Sequence, residues 1–376
     1  MTNPALLALA DGSIFHGQSI GIDATTVGET LFNTAMSGYQ ESLSDPASAG
    51  QLLAFTYPHI GNSGINADDD ESAGIQAAGL IIRDLPLLAS NFRSQQSLAE
   101  YLHSNQKVAI AGIDTRRLTR ILRDKGNLAG CIMAGVDANA EAALEQARQH
   151  GGLQGQNLLG RVSCKESYQW QQGNWELAGD SCAEPQLPAA APLVVVYDFG
   201  VRRSLLRALV SLGLRVTVVP ANTAVHEVLA LKPAGFVLSD GPGDPAACAE
   251  AINTVKSLVA SELPVFGNGL GMQLLALACG ARTSKARVSQ AGANQSVKNL
   301  ASGQVMITLQ RYSFVVEADS LPDGLRMTHQ SLFDDSVQGL ELAGKPVSGF
   351  QGIAQISSEP NCSNEFFARF LADLKA

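Results

Sequence analysis

The chain has 376 residues, 45% of them hydrophobic and 16% charged. At roughly 100–200 residues per domain this is an ordered composition long enough for two or three full-sized cores, not a disordered one. Its 26 Lys and Arg against 35 Asp and Glu leave a net charge of −9, which repels phosphate backbones and anionic membranes and argues against nucleic acid as a partner.

Read in chain order, Met1–Asp11 carries a short apolar run with no basic residue before it. It is too short and wrongly flanked for a signal peptide and reads as a first β-strand. No stretch of the chain reaches the ~18–20 apolar residues that a membrane span requires. Up to about Asp180, short strands and Gly-rich turns alternate with a few helices. One helix is predicted over Asp114–Lys125, with Thr115 capping its start and Leu118, Ile121 and Leu122 on one apolar face. Ala183–Pro192 holds Pro185, Pro188 and Pro192 among small residues. Such a segment builds neither strand nor helix interior, and it is predicted to be a linker.

Beyond it the rhythm becomes strand–helix alternation. Strands are predicted at Leu193–Tyr197, Arg215–Val219, Gly235–Ser239 and Pro264–Gly267, and helices at Ser204–Leu212, Ala247–Ala260 and Met272–Ala278. That order implies right-handed βαβ crossovers and a parallel sheet covered on both faces. The expected organisation is an α/β chain: a β-rich domain over residues 1–182, a linker over 183–192, and a doubly wound parallel-sheet domain over 193–376.

The six cysteines (Cys131, Cys164, Cys182, Cys248, Cys279 and Cys362) are scattered, without a CxxC pair or nearby histidines. This predicts neither a zinc site nor a disulfide framework, and it suits a cytoplasmic protein. Two loops fall where α/β proteins place ligand sites, at the carboxyl ends of strands. Ser239–Pro245 contains Gly241-Pro242-Gly243, whose backbone amides suit a small anion or an oxyanion, although a bare Gly-Pro-Gly is more often a plain turn. Pro264–Leu275 runs from a buried strand through Gly267-Asn268-Gly269-Leu270-Gly271 into a helix, the geometry of a nucleophile elbow. It is not a dinucleotide fingerprint. The sixth place is Met272, and Ala281–Leu300 has no acidic residue to bind a ribose.

With these loops stand Gly38-Tyr39-Gln40-Glu41, Asp45-Pro46, Thr56–Asn62, Ile82–Pro86, Ser90–Arg93 and Ile113–Arg116. Together they identify the chain as similar to the carbamoyl-phosphate synthetase small subunit, in the class I glutamine amidotransferase family, over essentially its whole length to about Gly352. In that family the amidotransferase domain hydrolyses glutamine. The ammonia passes to a large synthetase subunit, which uses ATP and bicarbonate to make carbamoyl phosphate for arginine and pyrimidine synthesis. The resemblance therefore implies a large-subunit partner, no cofactor or metal in this chain, and ATP and bicarbonate on the partner alone. The chemistry needs a thiolate, a histidine to activate it, a carboxylate to orient the histidine, and amides to hold the oxyanion.

Against that family this sequence departs at each catalytic position. The family's Gly-x-Cys-x-Gly-x-Gln has Gly269 in place of the cysteine, and its terminal His-Pro-Glu reads Ile353-Ala354-Gln355. Ile353 then stands for the base and Gln355 for its orienting carboxylate, and no histidine follows His329. The former glutamine pocket maps to Ala47, Gly241, Gly243, Leu270, Gln273, Arg311, Ser313 and Phe314, where Ala47 replaces a serine and Arg311 puts a cation where a small amide contacted substrate. Cys248 and Cys279 read as packed hydrophobes rather than substitute nucleophiles, and His329 as structural. Three functions follow: a pseudo-glutaminase that docks on a large subunit, a binding protein that reuses the pocket, or a glutaminase with an unrecognised nucleophile.

Overall fold

The first apolar run, Pro4–Leu9 (β1), is buried at every position after Pro4 in the computed structural model. It is walled in on both edges, by Ile14–Ser19 (β2) and by a later strand, Leu128–Ala134 (β7). The structure describes residues 3–177, 179, 181–353 and 364–374. They form two compact units: Met1–Gln154 with Arg287–Gly292, and Gly155–Ala286 with Ala293–Ala376.

In the first unit, Thr25–Asn33 (β3), Gln51–Phe55 (β4), Gly79–Ile81 (β5) and Val108–Ala111 (β6) complete a closed barrel in the order β1-β2-β6-β5-β4-β3-β7. The run β3-β4-β5-β6 is parallel and the remaining pairs are antiparallel. Closure removes unpaired edges, which lets short strands persist. The unit also holds helices Tyr39–Ser44 (α1), Leu98–Ser104 (α2), Thr115–Lys125 (α3) and Ala140–His150 (α4). In α3, Leu118 and Leu122 are fully buried and Ile121 packs beside them, as the spacing predicts. Its cap is Asp114, not Thr115. The Asp114 carboxylate accepts from the Arg117 N–H at 2.9 Å while Asp114 itself lies outside helical φ/ψ, and Thr115 is the first helical residue.

The second unit begins before the proline-rich segment. Tyr168–Trp170 (β8) pairs antiparallel with Arg215–Pro220 (β12), so this stretch groups with the α/β unit rather than with the barrel. A three-residue strand carries no periodic signal, and its place is set by the open edge it covers. Trp175–Glu176 (β9) and Ser181–Cys182 (β10) form a separate small pair. Residues 183–192 contain neither helix nor strand.

The centre of the unit is parallel, in the order β12, Leu193–Asp198 (β11), Gly235–Leu238 (β13), Val265–Asn268 (β14) and Val347–Phe350 (β19). An antiparallel extension of Thr283–Asn299 (β15), Val305–Val316 (β16), Leu325–Ser331 (β17) and Val337–Leu342 (β18) makes a ten-stranded mixed sheet among the described residues. Leu159–Val162 (α5) precedes β11, and Arg203–Ser211 (α6), Val225–Ala230 (α7), Ala249–Ala260 (α8) and Leu270–Ala278 (α9) follow in alternation with strands.

Successive β11 residues face opposite cores. Val195 and Tyr197 pack with Val255, Leu258, Leu274 and Leu275 of α8 and α9. Val194 and Val196 pack with Leu205, Leu206 and Leu209 of α6 and with Phe367 and Phe370 of Asn364–Asp373 (α10). The unit is thus doubly wound, as expected, and strand–helix alternation brings the carboxyl ends of β13 and β14 side by side. No helix among the described residues is long and apolar enough to cross a membrane.

Candidate functional site

β14 ends in Gly267-Asn268, and Gly269 turns the chain into α9 at φ +52° and ψ −115°. An L-residue adopts such angles only under strain, and glycine does so without a β-carbon penalty. The turn is also crowded: a β-carbon on Gly271 would lie 2.2 Å from the Leu238 carbonyl oxygen. The strand–turn–helix elbow is therefore formed as its glycine pattern predicts. Gly269 N–H donates to Phe350 O at 2.9 Å, while the buried Asn268 amide donates to Phe350 O at 3.2 Å and Gly352 O at 2.7 Å. These bonds tie the elbow to the strand end that leads to Ile353.

Ile353 is 7% exposed and its N–H donates to Leu309 O at 2.8 Å. Its side chain is aliphatic and transfers no proton. Gln355 lies outside the described residues. Gln273, on the first turn of α9, donates to Phe314 O at 2.7 Å and to the Gln351 side-chain oxygen at 3.0 Å. It thereby joins α9, β16 and the end of β19. Arg311, Ser313 and Phe314 lie on β16 and are all buried. Ala47 belongs to the barrel unit, in a short turn where its N–H donates to the Asp45 carboxylate at 2.9 Å.

The loop after β13 holds a residue, Asp240, that no sequence motif marks out. Asp240 is 5% exposed, and its Oδ1 accepts from the N–H groups of both Gly241 and Leu270, each at 2.8 Å. These amides come from the Gly-Pro-Gly loop and from the residue after the elbow turn, two of the positions assigned above to the former pocket. The amides expected to face an external anion thus face a carboxylate of the chain itself. The carboxylate sits at the positive end of α9, where an acceptor side chain meets the unpaired amides of the first turn. Its signal in the sequence was an acidic residue directly before a loop whose amides seek an anion. Gly243, at φ +96°, turns the loop back toward Asp244, whose carboxylate accepts from Gly155 at 2.9 Å.

No described thiol near this site is poised to act. Burial, with Asp244 adding to it, pushes Cys248 up to about 12, and Cys248 Sγ lies 3.4 Å from the Asp244 carbonyl oxygen. Burial raises Cys279 as well, at the far end of α9, with Lys345 opposing. His329 is buried edge-on to Phe350, with ring centroids 6.3 Å apart.

Residues 195–352, whose parallel sheet carries the glycine loop and the elbow at adjacent strand ends, match the model of the class I glutamine amidotransferases. Residues 7–132 match the CPSase domain of the carbamoyl-phosphate synthase small chain. The chain is 54% identical over 374 residues to the carbamoyl phosphate synthase small chain of Pseudomonas aeruginosa, covering 99% of this chain and 98% of that one. It is 52% identical over 376 residues to that of Neisseria meningitidis serogroup B, covering 100% and 99%. A solved glutamine amidotransferase of Thermotoga maritima overlaps 49% of this chain and 82% of its own at 13% identity, with a TM-score of 0.37. This chain belongs to the carbamoyl-phosphate synthase small-chain family.

Proposed function

We propose that the chain is a pseudo-glutaminase: a small-chain scaffold that docks on a large synthetase subunit and supports or regulates carbamoyl phosphate formation for arginine and pyrimidine synthesis without hydrolysing glutamine. The observation that carries this is Gly269. The elbow keeps the φ/ψ that presents a nucleophile, and the residue there has no side chain. Ile353 offers no base, and burial raises the thiols of Cys248, at the start of α8, and Cys279, at the end of α9, away from the thiolate form. ATP and bicarbonate belong to the large subunit in this scheme, and the small chain carries no cofactor or metal of its own. The name borne by the full-length relatives supports a large-chain partner.

The test is ammonia release from glutamine by the purified chain, alone and with a large subunit added. Loss of a triad nucleophile costs on the order of 10⁶ in turnover, so release is expected at background. Turnover near ~1 s⁻¹, ordinary for an enzyme, would overturn the proposal.

A further inference from the structure

Asp240 and Gly269 exclude one another's alternatives. A β-carbon at position 269 would lie 2.1 Å from Asp240 Oδ1, 2.3 Å from its Cγ and 2.8 Å from its Oδ2. All three lie far inside van der Waals contact, and the obstacle is a buried carboxylate held by two backbone amides. Any side chain at 269 therefore requires Asp240 to leave its place or the turn to open. Conversely, Asp240 reaches both amides only because the neighbouring turn residue is bare.

Two N–H groups converging on one point at the mouth of an elbow are the donor arrangement that stabilises an oxyanion. We propose that Asp240 is a resident anion: its carboxylate fills the oxyanion hole made by Gly241 and Leu270 and closes the elbow to a substrate carbonyl. This rests on the glutaminase-derived reading of the elbow and deepens it, since the site is not merely without a nucleophile but occupied. A helix cap is the plainer description of the Leu270 contact, because Gly269 at the N-cap has no side chain to cap α9. The Gly241 contact and the overlap with a β-carbon at 269 are not requirements of a cap.

The test uses the full chain and two readouts that do not involve glutamine. Asp240→Gly empties the hole, so its thermal midpoint should fall. Sodium formate, a free carboxylate of the right size, should then recover more than half of the loss, while sodium chloride at equal ionic strength recovers none. The parent chain should respond alike to both salts. If Asp240→Gly is unfolded in buffer, the rise in folded fraction with formate over chloride, followed by far-ultraviolet circular dichroism, gives the same reading.

The second readout is a double-mutant cycle. Gly269→Ala should lower the urea midpoint in the parent by clearly more than it does in the Asp240→Gly background, where only the positive-φ strain remains. Equal responses of Asp240→Gly to formate and chloride, or additive midpoints in the cycle, overturn the resident anion and leave the absence of a nucleophile standing. Glutamine hydrolysis by the parent chain overturns the pseudo-glutaminase reading through a separate measurement.

Discussion

A thiol returned to position 269 would meet three obstacles. It would overlap Asp240, occupy φ +52° with a β-carbon, and have an isoleucine at position 353, where the family resemblance expects the base. Without a base, a cysteine of ordinary pKa, about 8.5, is only a few per cent thiolate at neutral pH. Gly269→Cys alone is therefore expected to release no ammonia from glutamine. Adding Ile353→His and Gln355→Glu should bring measurable turnover, and Asp240→Gly should raise kcat further. Arg311→Asn is expected to act chiefly on KM. Steady-state kinetics on the series checks this order, and near-normal turnover from Gly269→Cys by itself would show a base that the site does not display.

At the scale of elements, the elbow depends on the end of β19 as much as on its own glycines. Asn268 is 1% exposed and both donor bonds of its amide end on Phe350 and Gly352. Asn268→Ala leaves those carbonyls without these donors, at a cost of about 1–3 kcal/mol. Urea denaturation should show that loss, and an unchanged midpoint would mean the strand end is held from elsewhere. In the barrel unit, Asp114→Ala removes the cap of α3 and should cost about 1 kcal/mol by the same measurement.

Helix α1 supplies a pH dependence. Burial, reinforced by Asp69 and Glu71 against an opposing own-backbone hydrogen bond and Arg93, pushes Glu41 up to about 7 from its ordinary value of 4.5. The folded chain therefore holds this proton more tightly than the unfolded chain. The contribution of Glu41 is most favourable below about 4.5 and is lost as pH rises through about 7. Glu41→Gln should melt higher than the parent at pH 8, with the difference shrinking toward pH 4. A difference that grew on acidification would reverse the sign.

At the scale of the whole molecule, the barrel and the α/β unit are both formed, which the proposed scaffold role requires. A complex with a large synthetase subunit is expected to elute as one peak in size-exclusion chromatography. No complex at micromolar concentration would move the balance toward a binding protein that reuses the former pocket.

Local order is what the linear chain carried by itself. The period of α3, the β-branched run at Leu193–Tyr197, the strand–helix alternation and the Gly-rich elbow each state a short-range preference, and each element formed where that preference lay. That position 269 carries no thiol and position 353 no imidazole was equally legible, because a side chain's chemistry is written in its identity. Contacts that join distant segments were not. The closed barrel needs β1 to find β7 and β2 to find β6, and β8 has a place only because β12 leaves an edge. Asp240 and Leu270 stand thirty positions apart in sequence. Their meeting is decided by the parallel pairing of β13 with β14, which sets two carboxyl ends side by side. Only that pairing sets an ordinary aspartate against the amides of the elbow.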